Sequence, residues 1–305
     1  MIGEIVFLGT SGSMPSKDRG LPGILVKIGS LRLLLDAGEG VQQKMIMAGE
    51  SLVTIDVIII THLHGDHFFG LPGLLHSMNI NRRVKELSII GPRGIRDFIT
   101  KIYELTYSRP VFHINICEIA ENAEERINLS DDVWIKLFPV NHSIPAFGVL
   151  LAYKKKKGRI NAEKALKLGI PRGPLWSKLQ HGEPVLLGNG KVVKPEDVLE
   201  EMPREYRIVY TGDTAPSDKI VEESRGADIL IHESTFASDK MEEAHEFKHS
   251  TSIDAAITAS RAGVKTLVLT HFSTRYKDVS LLVEEARRFF INTIAAEDLM
   301  KLPLI

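Results

Sequence analysis

Thr61-His62-Leu63-His64-Gly65-Asp66-His67 places four side chains of metal-ligand type within six residues, 62–67. It directly follows Thr54–Thr61, a nearly continuous apolar run of the kind a strand buried on both faces has. It precedes Phe68–Asn79, which has helical spacing. In an extended exit from a strand, residues i and i+2 share a face, so His62 and His64 can point at one ion. Gly65 permits a sharp change of direction, and Asp66 and His67 then project from the next element toward a neighbouring point. The four could serve two adjacent cations. A lone histidine is usually a surface or satisfied core residue. Imidazoles and a carboxylate this dense, once buried, need a cation to compensate them.

The same positional logic finds further donors. His142 follows the predicted strand Val133–Val140, Asp213 follows Arg207–Thr211 within Thr211-Gly212-Asp213-Thr214, and His271 follows Lys265–Thr270. In α/β folds such strand ends line the active-site edge. His and carboxylate donors without thiolate suit Zn²⁺ or Mn²⁺, with zinc favoured by the number of imidazoles. Asp213 is the natural candidate to bridge two ions. Asp36, in Leu34-Leu35-Asp36-Ala37-Gly38, reads two ways: it accepts the free N–H of a ligand histidine, or it forms a turn ahead of Gly38. Glu233 is read as a similar support or as a cap to its strand.

Outward from these motifs, Ile2–Leu8, Gly23–Ile28, Leu31–Asp36, Phe147–Tyr153 and Asp228–His232 also have strand character. Gly40–Gly49, Gly94–Tyr107, Ser217–Arg225 and Ser252–Ala262 read as helices. Ser250 and Thr251 are capping candidates for the last of these, and Gly263 lies just past its end. Strands with interleaved helices in both halves predict an α/β domain with sheets inside and helices outside. The segment from Ala152 to Glu183 stands apart: it has little strand patterning, and carries nine basic residues against two acidic ones. Elsewhere a charge run of this kind is a solvated face. Here Gly173-Pro174-Leu175-Trp176 implies local structure, and the segment is read as an inserted arm.

Composition narrows the class. With 305 residues, 44% hydrophobic and 25% charged, the chain is neither disordered, collagen-like nor coiled-coil. Its longest apolar stretches, such as Val57–Ile60, are strand-sized and far short of a membrane span. Met1-Ile2-Gly3-Glu4 has no basic region ahead of an apolar one, so no secretory signal is expected. The single Cys117 cannot form an internal disulfide, which fits a reducing cytosol. Few Cys and Gln beside many Lys and Glu is a bias associated with thermophiles. The formal charge of -1 lacks the basic excess usual for a nucleic-acid binder, so any such binding must use locally concentrated cations.

His62-x-His64-x-Asp66-His67 with His142, Asp213 and His271 resembles the metallo-β-lactamase superfamily and, within it, the ribonuclease Z family of tRNA 3′-processing endonucleases. The likeness spans essentially the whole chain. Pro15-Ser16-Lys17-Asp18-Arg19 is similar to that family's PxKxRN loop, with Gly20 in place of the Asn. His232-Glu233-Ser234-Thr235-Phe236 is similar to its HEAT-type motif, and His249-Ser250-Thr251 to its HST motif. The basic insertion with Gly173-Pro174 falls where the family carries its tRNA-clamping arm.

The resemblance implies a four-layer αββα sandwich: a single domain, 1–305, with a tRNA-binding arm at about 152–183. It implies one zinc on His62, His64 and His142, a second on Asp66, His67 and His271, and Asp213 bridging, with Mn²⁺ as the other candidate metal. Asp66 would accept a proton from the attacking water, and His249 would protonate the departing 3′-oxygen or stabilise the phosphorane. Lys17, Arg19, Arg275 and Tyr276 would hold the backbone near the cut. The expected activity is removal of the 3′ trailer from precursor tRNA by a cytoplasmic homodimer without membrane contact. Competing readings are a small-molecule phosphodiesterase or thioesterase of the same fold, a non-catalytic RNA-binding module and a redox di-iron protein. The basic arm and the HST motif weigh against the first, and the complete ligand set against the second. The third would require a separate electron-transfer partner. His76, His113, His181 and His245 match no motif and are read as non-catalytic.

Overall fold

The apolar run ahead of His62 becomes the strand Val57–Ile59, buried throughout, within a seven-stranded sheet. The computed structural model describes residues 3–304 of the chain. The order across this sheet is Lys301–Leu304, Gly3–Gly9, Gly23–Ile28, Leu31–Leu35, Val57–Ile59, Leu87–Pro92 and Ile114–Ile119. The first three pairings are antiparallel and the last three parallel. On one face Val6, Leu8, Leu34, Ile58 and Ile89 pack with Val41, Met45, Leu71, Leu74 and Ile95 of the helices Val41–Met47, Leu71–Ile80 and Ile95–Leu105. The alternating residues Ile5, Phe7, Ile24, Val26 and Leu33 are just as buried. Both faces are therefore covered, the condition under which parallel strands read as unbroken apolar runs.

The second sheet runs Thr293–Ala295, Thr266–Thr270, Ile229–Glu233, Arg204–Tyr210, Phe147–Lys155, Val133–Pro139 and Glu125–Asn128. Its first four strands are parallel, with Tyr210 opposite Ile231 and Glu233 opposite Thr270. Their carboxyl ends thus finish at one edge. The helix Ser252–Ala262 packs on the strands Ile229–Glu233 and Thr266–Thr270 and against the helix Ser280–Arg287. As predicted, Thr251 caps it: its hydroxyl accepts from the Asp254 N–H at 3.1 Å, while Asp254 accepts from the Thr251 N–H at 2.9 Å. Gly263 ends it in the left-handed region, at φ 62°. Ser250, the other capping candidate, instead donates to the Thr214 carbonyl at 2.6 Å.

Several boundaries differ from the sequence reading. Ile2, where the first strand was expected to begin, lies outside the described residues. Leu52–Thr54 is a 3₁₀ turn, so the expected strand over 54–61 shortens to Val57–Ile59. The expected helix over 68–79 divides into Gly65–Phe68 and Leu71–Ile80. Backbone crowding explains the break: a Cβ on Gly70 would lie 2.0 Å from the Gly38 carbonyl oxygen, and the Gly70 N–H donates to Ala37 at 2.9 Å. Pro72 then opens the second helix, where its missing N–H costs nothing. The strand Leu87–Pro92 escaped periodicity because Ser88, Gly91 and Pro92 interrupt its apolar character.

Residues 126–135 and 151–207 cluster as a second compact unit. Its core is Ala165, Ile170, Leu179, Val185, Val193 and Val198. The helices Ala162–Lys167 and Pro174–Gln180 supply part of it, and Trp176 fixes the turn between them by donating to the Ile170 carbonyl at 3.0 Å. Within this unit Lys155, Lys156, Arg159 and Lys167 pair with Glu201, Asp132, Glu200 and Glu163. Lys154, Lys157, Lys164, Arg172 and Lys178 are exposed, with no ion-pair partner among the described residues.

Candidate metal centre

The predicted donors meet at the strand ends. His62, His64 and His142 form one group and Asp66, His67, Asp213 and His271 another, the donor atoms of each lying within 4.8 Å of one another. His62, His67, Asp213 and His271 are buried, and His64, Asp66 and His142 partly so. The His64 Nδ1 is 3.0 Å from the His142 Nε2, and the His67 and His271 Nε2 atoms are 3.3 Å apart. Asp213 Oδ1 lies 3.2 Å from His67 and 3.3 Å from His271.

Hydrogen bonds on the far side of these rings decide what the facing atoms are. His67 Nδ1 donates to Asp36 at 2.7 Å, His142 Nδ1 to the Lys248 carbonyl at 3.0 Å, and His271 Nδ1 to the Thr235 hydroxyl at 2.9 Å. His62 Nδ1 donates to the Thr61 hydroxyl at 3.0 Å. When neutral, each of these imidazoles therefore turns an unprotonated Nε2 toward the centre, and lone pairs converge with carboxylate oxygens. His62 Nε2 and Asp213 Oδ1 are buried without a hydrogen-bond partner among the described residues. Such a convergence is unfavourable unless a cation occupies it. The donor set fits divalent metal.

Electrostatics agree. Burial works against charge on His67, yet Asp213 and Asp36 raise its pKa well above the ordinary value. Burial would likewise raise Asp213, but His271 and His67 hold it well below the usual carboxylate range. The centre draws positive charge strongly, as a proton or as a metal. His62, His64 and His142 move the other way, lowered chiefly by burial.

Asp36 resolves into both of its readings. It takes the left-handed backbone of a turn at φ 58°, and its buried carboxylate accepts from Thr61 N at 2.8 Å, Tyr210 OH at 2.8 Å and His67. His271 also has a left-handed backbone, at φ 59°, and a Cβ on Gly12 would meet its ring at 2.7 Å. Glu233 is a support: it accepts from His249 Nδ1 at 2.8 Å, from Thr235 Oγ1 at 2.6 Å and from the Thr214 N–H at 2.8 Å. That leaves His249 Nε2 free to act. Burial lowers the His249 pKa, but Glu233 raises it to about 9 overall. Glu233, His249 and His271 also lie near one another, but the Thr235 hydroxyl fills the space between them as a hydrogen-bond link.

Tyr210, the Lys248 carbonyl and the Ser13 N–H, which donates to Asp66 at 2.8 Å, carry no signature that reading the sequence would isolate, and the hydrogen-bond roles of Thr61 and Thr235, though both lie in quoted motifs, are not legible either. Arg19 donates to the Tyr276 carbonyl and lies over Phe272, so it ties two loops together. Lys17 is exposed, and Arg275 pairs with Glu243 at 2.9 Å above the Phe236 ring. The Gly20 N–H donates to Asp298, which also holds Lys44, and a Cβ at residue 20 would press on Lys44 at 2.9 Å. His76, His113, His181 and His245 lie outside both donor groups. A cleft of about 780 Å³ opens over the centre, lined by His64, Asp66, His142, Asp213 and His249 together with Phe69, Phe247 and Arg275.

Two mixed sheets flanked by helices, with histidine and aspartate donors at the strand ends, define a protein of metallo-β-lactamase type. The family model described as "Metallo-beta-lactamase superfamily" matches residues 23–271. Ribonuclease Z of Ignicoccus hospitalis is 44% identical over 99% of this chain and 98% of that protein. Ribonuclease Z of Archaeoglobus fulgidus is 42% identical, over 99% and 98%. The crystal structure of the short form of human tRNase Z superposes with a TM-score of 0.71 at 29% identity, covering 98% of each chain. The chain belongs to the ribonuclease Z family, endoribonucleases of the metallo-β-lactamase superfamily.

Proposed function

We propose that this protein removes the 3′ trailer from precursor tRNA by zinc-dependent hydrolysis of one phosphodiester, leaving a tRNA 3′-hydroxyl. The observation that carries this reading is the convergence of both donor groups and His249 on one cleft, in a chain matched end to end by ribonuclease Z relatives. His62, His64 and His142 would hold one ion, Asp66, His67 and His271 a second, and Asp213 would serve both. Bound there, such a pair supplies Lewis-acid stabilisation of phosphate oxygens and raises the acidity of an attacking water.

The chain's own groups handle the protons. Asp66, held by the Ser13 N–H, accepts the proton of the water that attacks phosphorus. As the bond from phosphorus to the 3′-oxygen of the tRNA breaks, His249 Nε2 donates a proton to that oxygen. Glu233 keeps His249 protonated and aimed. Lys154, Lys157, Lys164, Arg172 and Lys178, exposed on the second unit, supply phosphate contacts that add affinity without sequence information. The resemblance also implies a homodimer. An exposed lone cysteine and the absence, among the described residues, of a helix able to cross a membrane are compatible with a cytoplasmic setting.

The test is a 5′-labelled precursor tRNA with a 3′ trailer, incubated with and without chelator, its product mapped on a sequencing gel. A single cut beside the discriminator base, abolished by chelation and restored by Zn²⁺, is the expected result. Hydrolysis of small phosphodiesters with no cut in the precursor would overturn the substrate assignment.

A further inference from the structure

Two phenylalanines in the wall of the catalytic cleft have no place in the chemistry described so far. Phe69 is 60% exposed and Phe247 57%, and both line the same cleft as His64, Asp66, His142 and His249. Single exposed apolar residues are ordinary on a protein surface. These two lie instead beside the reacting groups, two residues beyond His67 and two before His249. The Phe69 ring is held in place: a Cβ on Gly65 would meet it at 2.5 Å, so it is backed by the very turn that carries Asp66. The Phe247 N–H donates to the Glu243 carbonyl at 3.1 Å, and Lys248 then turns the chain at φ 61° to bring in His249.

A solvent-facing ring beside a phosphodiester-cleaving centre suits a flat π-surface. An RNA chain offers that surface wherever its bases are unpaired, whereas a duplex hides its base faces in the stack. We propose that Phe69 and Phe247 are stacking platforms for the unpaired bases that flank the cleaved phosphodiester, setting the register of the chain over the centre. This deepens the reading given above and rests on it.

The test is a mutant-and-substrate cycle with full-length enzyme. Phe69→Ala and Phe247→Ala are each assayed on precursor tRNA carrying natural bases and on precursors abasic immediately 5′ or 3′ of the cut. Each alanine variant should lose about ten-fold in kcat/KM on the natural substrate. Phe69→Trp and Phe247→Trp should keep most activity, which separates loss of an aromatic face from disturbance of the Asp66 turn or of His249. On the precursor lacking the base a ring holds, the unaltered enzyme should fall by a similar factor and the alanine variant no further. For either ring, losses that multiply independently at both abasic positions would overturn its assignment. If the unaltered enzyme does not cut the natural precursor at all, the underlying substrate reading fails instead.

Discussion

The catalytic geometry is set by which nitrogen of each histidine is already committed. Four imidazoles give their Nδ1 protons to Thr61, Asp36, Lys248 and Thr235, and so present Nε2 to the centre. His249 gives its Nδ1 proton to Glu233 and points Nε2 at the same cleft. Each outer partner fixes a tautomer, a ring angle and a basicity at once. If His249 is the general acid, His249→Ala should lower cleavage of precursor tRNA by about 10²–10⁴-fold. The deficit should shrink at least about ten-fold on a nitrophenyl phosphodiester, whose leaving group needs no proton. Single-turnover rates on the two substrates check this. An equal loss on both would assign His249 to charge stabilisation.

At the scale of elements, catalytic position depends on helix and strand termini. The capping box at Thr251 starts the helix Ser252–Ala262 immediately after His249, and Ser250 ties that start to Thr214 beside Asp213. Removing the cap with Thr251→Ala should cost about 1 kcal/mol. It should lower Tm by about 2 °C. Thr251→Ser should retain the cap, and thermal denaturation of the two variants checks it. A second junction lies away from the site, where Lys136 of the strand Val133–Pro139 and Lys219 of the helix Asp218–Glu223 both bind Glu124 and Glu223. Hydrogen bonds from Lys136 and Lys219 depress the Glu124 pKa from 4.5 to about 2. A depressed carboxylate stabilises the fold above its unfolded pKa and loses that contribution as pH falls through the folded one. The Tm difference between the unaltered protein and Glu124→Gln should therefore be constant above pH 4.5 and close as the pH approaches 2. Glu124 is well exposed, so the full difference should stay below about 1 kcal/mol.

Over the whole molecule, charge is segregated. In a chain of net charge -1, Lys154, Lys157, Lys164, Arg172 and Lys178 of the second unit are exposed without ion-pair partners among the described residues. If these meet tRNA phosphates, changing Lys154, Lys157, Lys164, Arg172 and Lys178 to Gln should weaken tRNA binding at low salt. It should also flatten the dependence of log affinity on log salt by about 0.7–0.9 for each phosphate no longer neutralised. Filter binding at several salt concentrations reads both effects, and an unchanged slope would place the phosphate-binding cations elsewhere.

Much of this is legible in the sequence. Metal donors spaced as His62, His64, Asp66 and His67 are local, because an extended strand exit alone puts them together, and most of the buried parallel strands read as apolar runs, Leu87–Pro92 excepted. His142, Asp213 and His271 could be found by the same rule, since each follows a strand. The sequence could not choose between the two roles of Asp36 or of Glu233. It held no sign of Tyr210, the Ser13 N–H or the Lys248 carbonyl, of the link Thr235 makes between Glu233 and His271, or that Phe69 and Phe247 face the cleft. Those depend on which strand ends and turns come together across the sheets: Tyr210 reaches Asp36 from 174 residues away, and His142 reaches Lys248 from 106. The sequence alone determined the donors and the charge, because those properties belong to residues and their neighbours. The tertiary structure decided tautomer, aim and access, because a hydrogen-bond partner is set by packing distance, not by spacing along the chain.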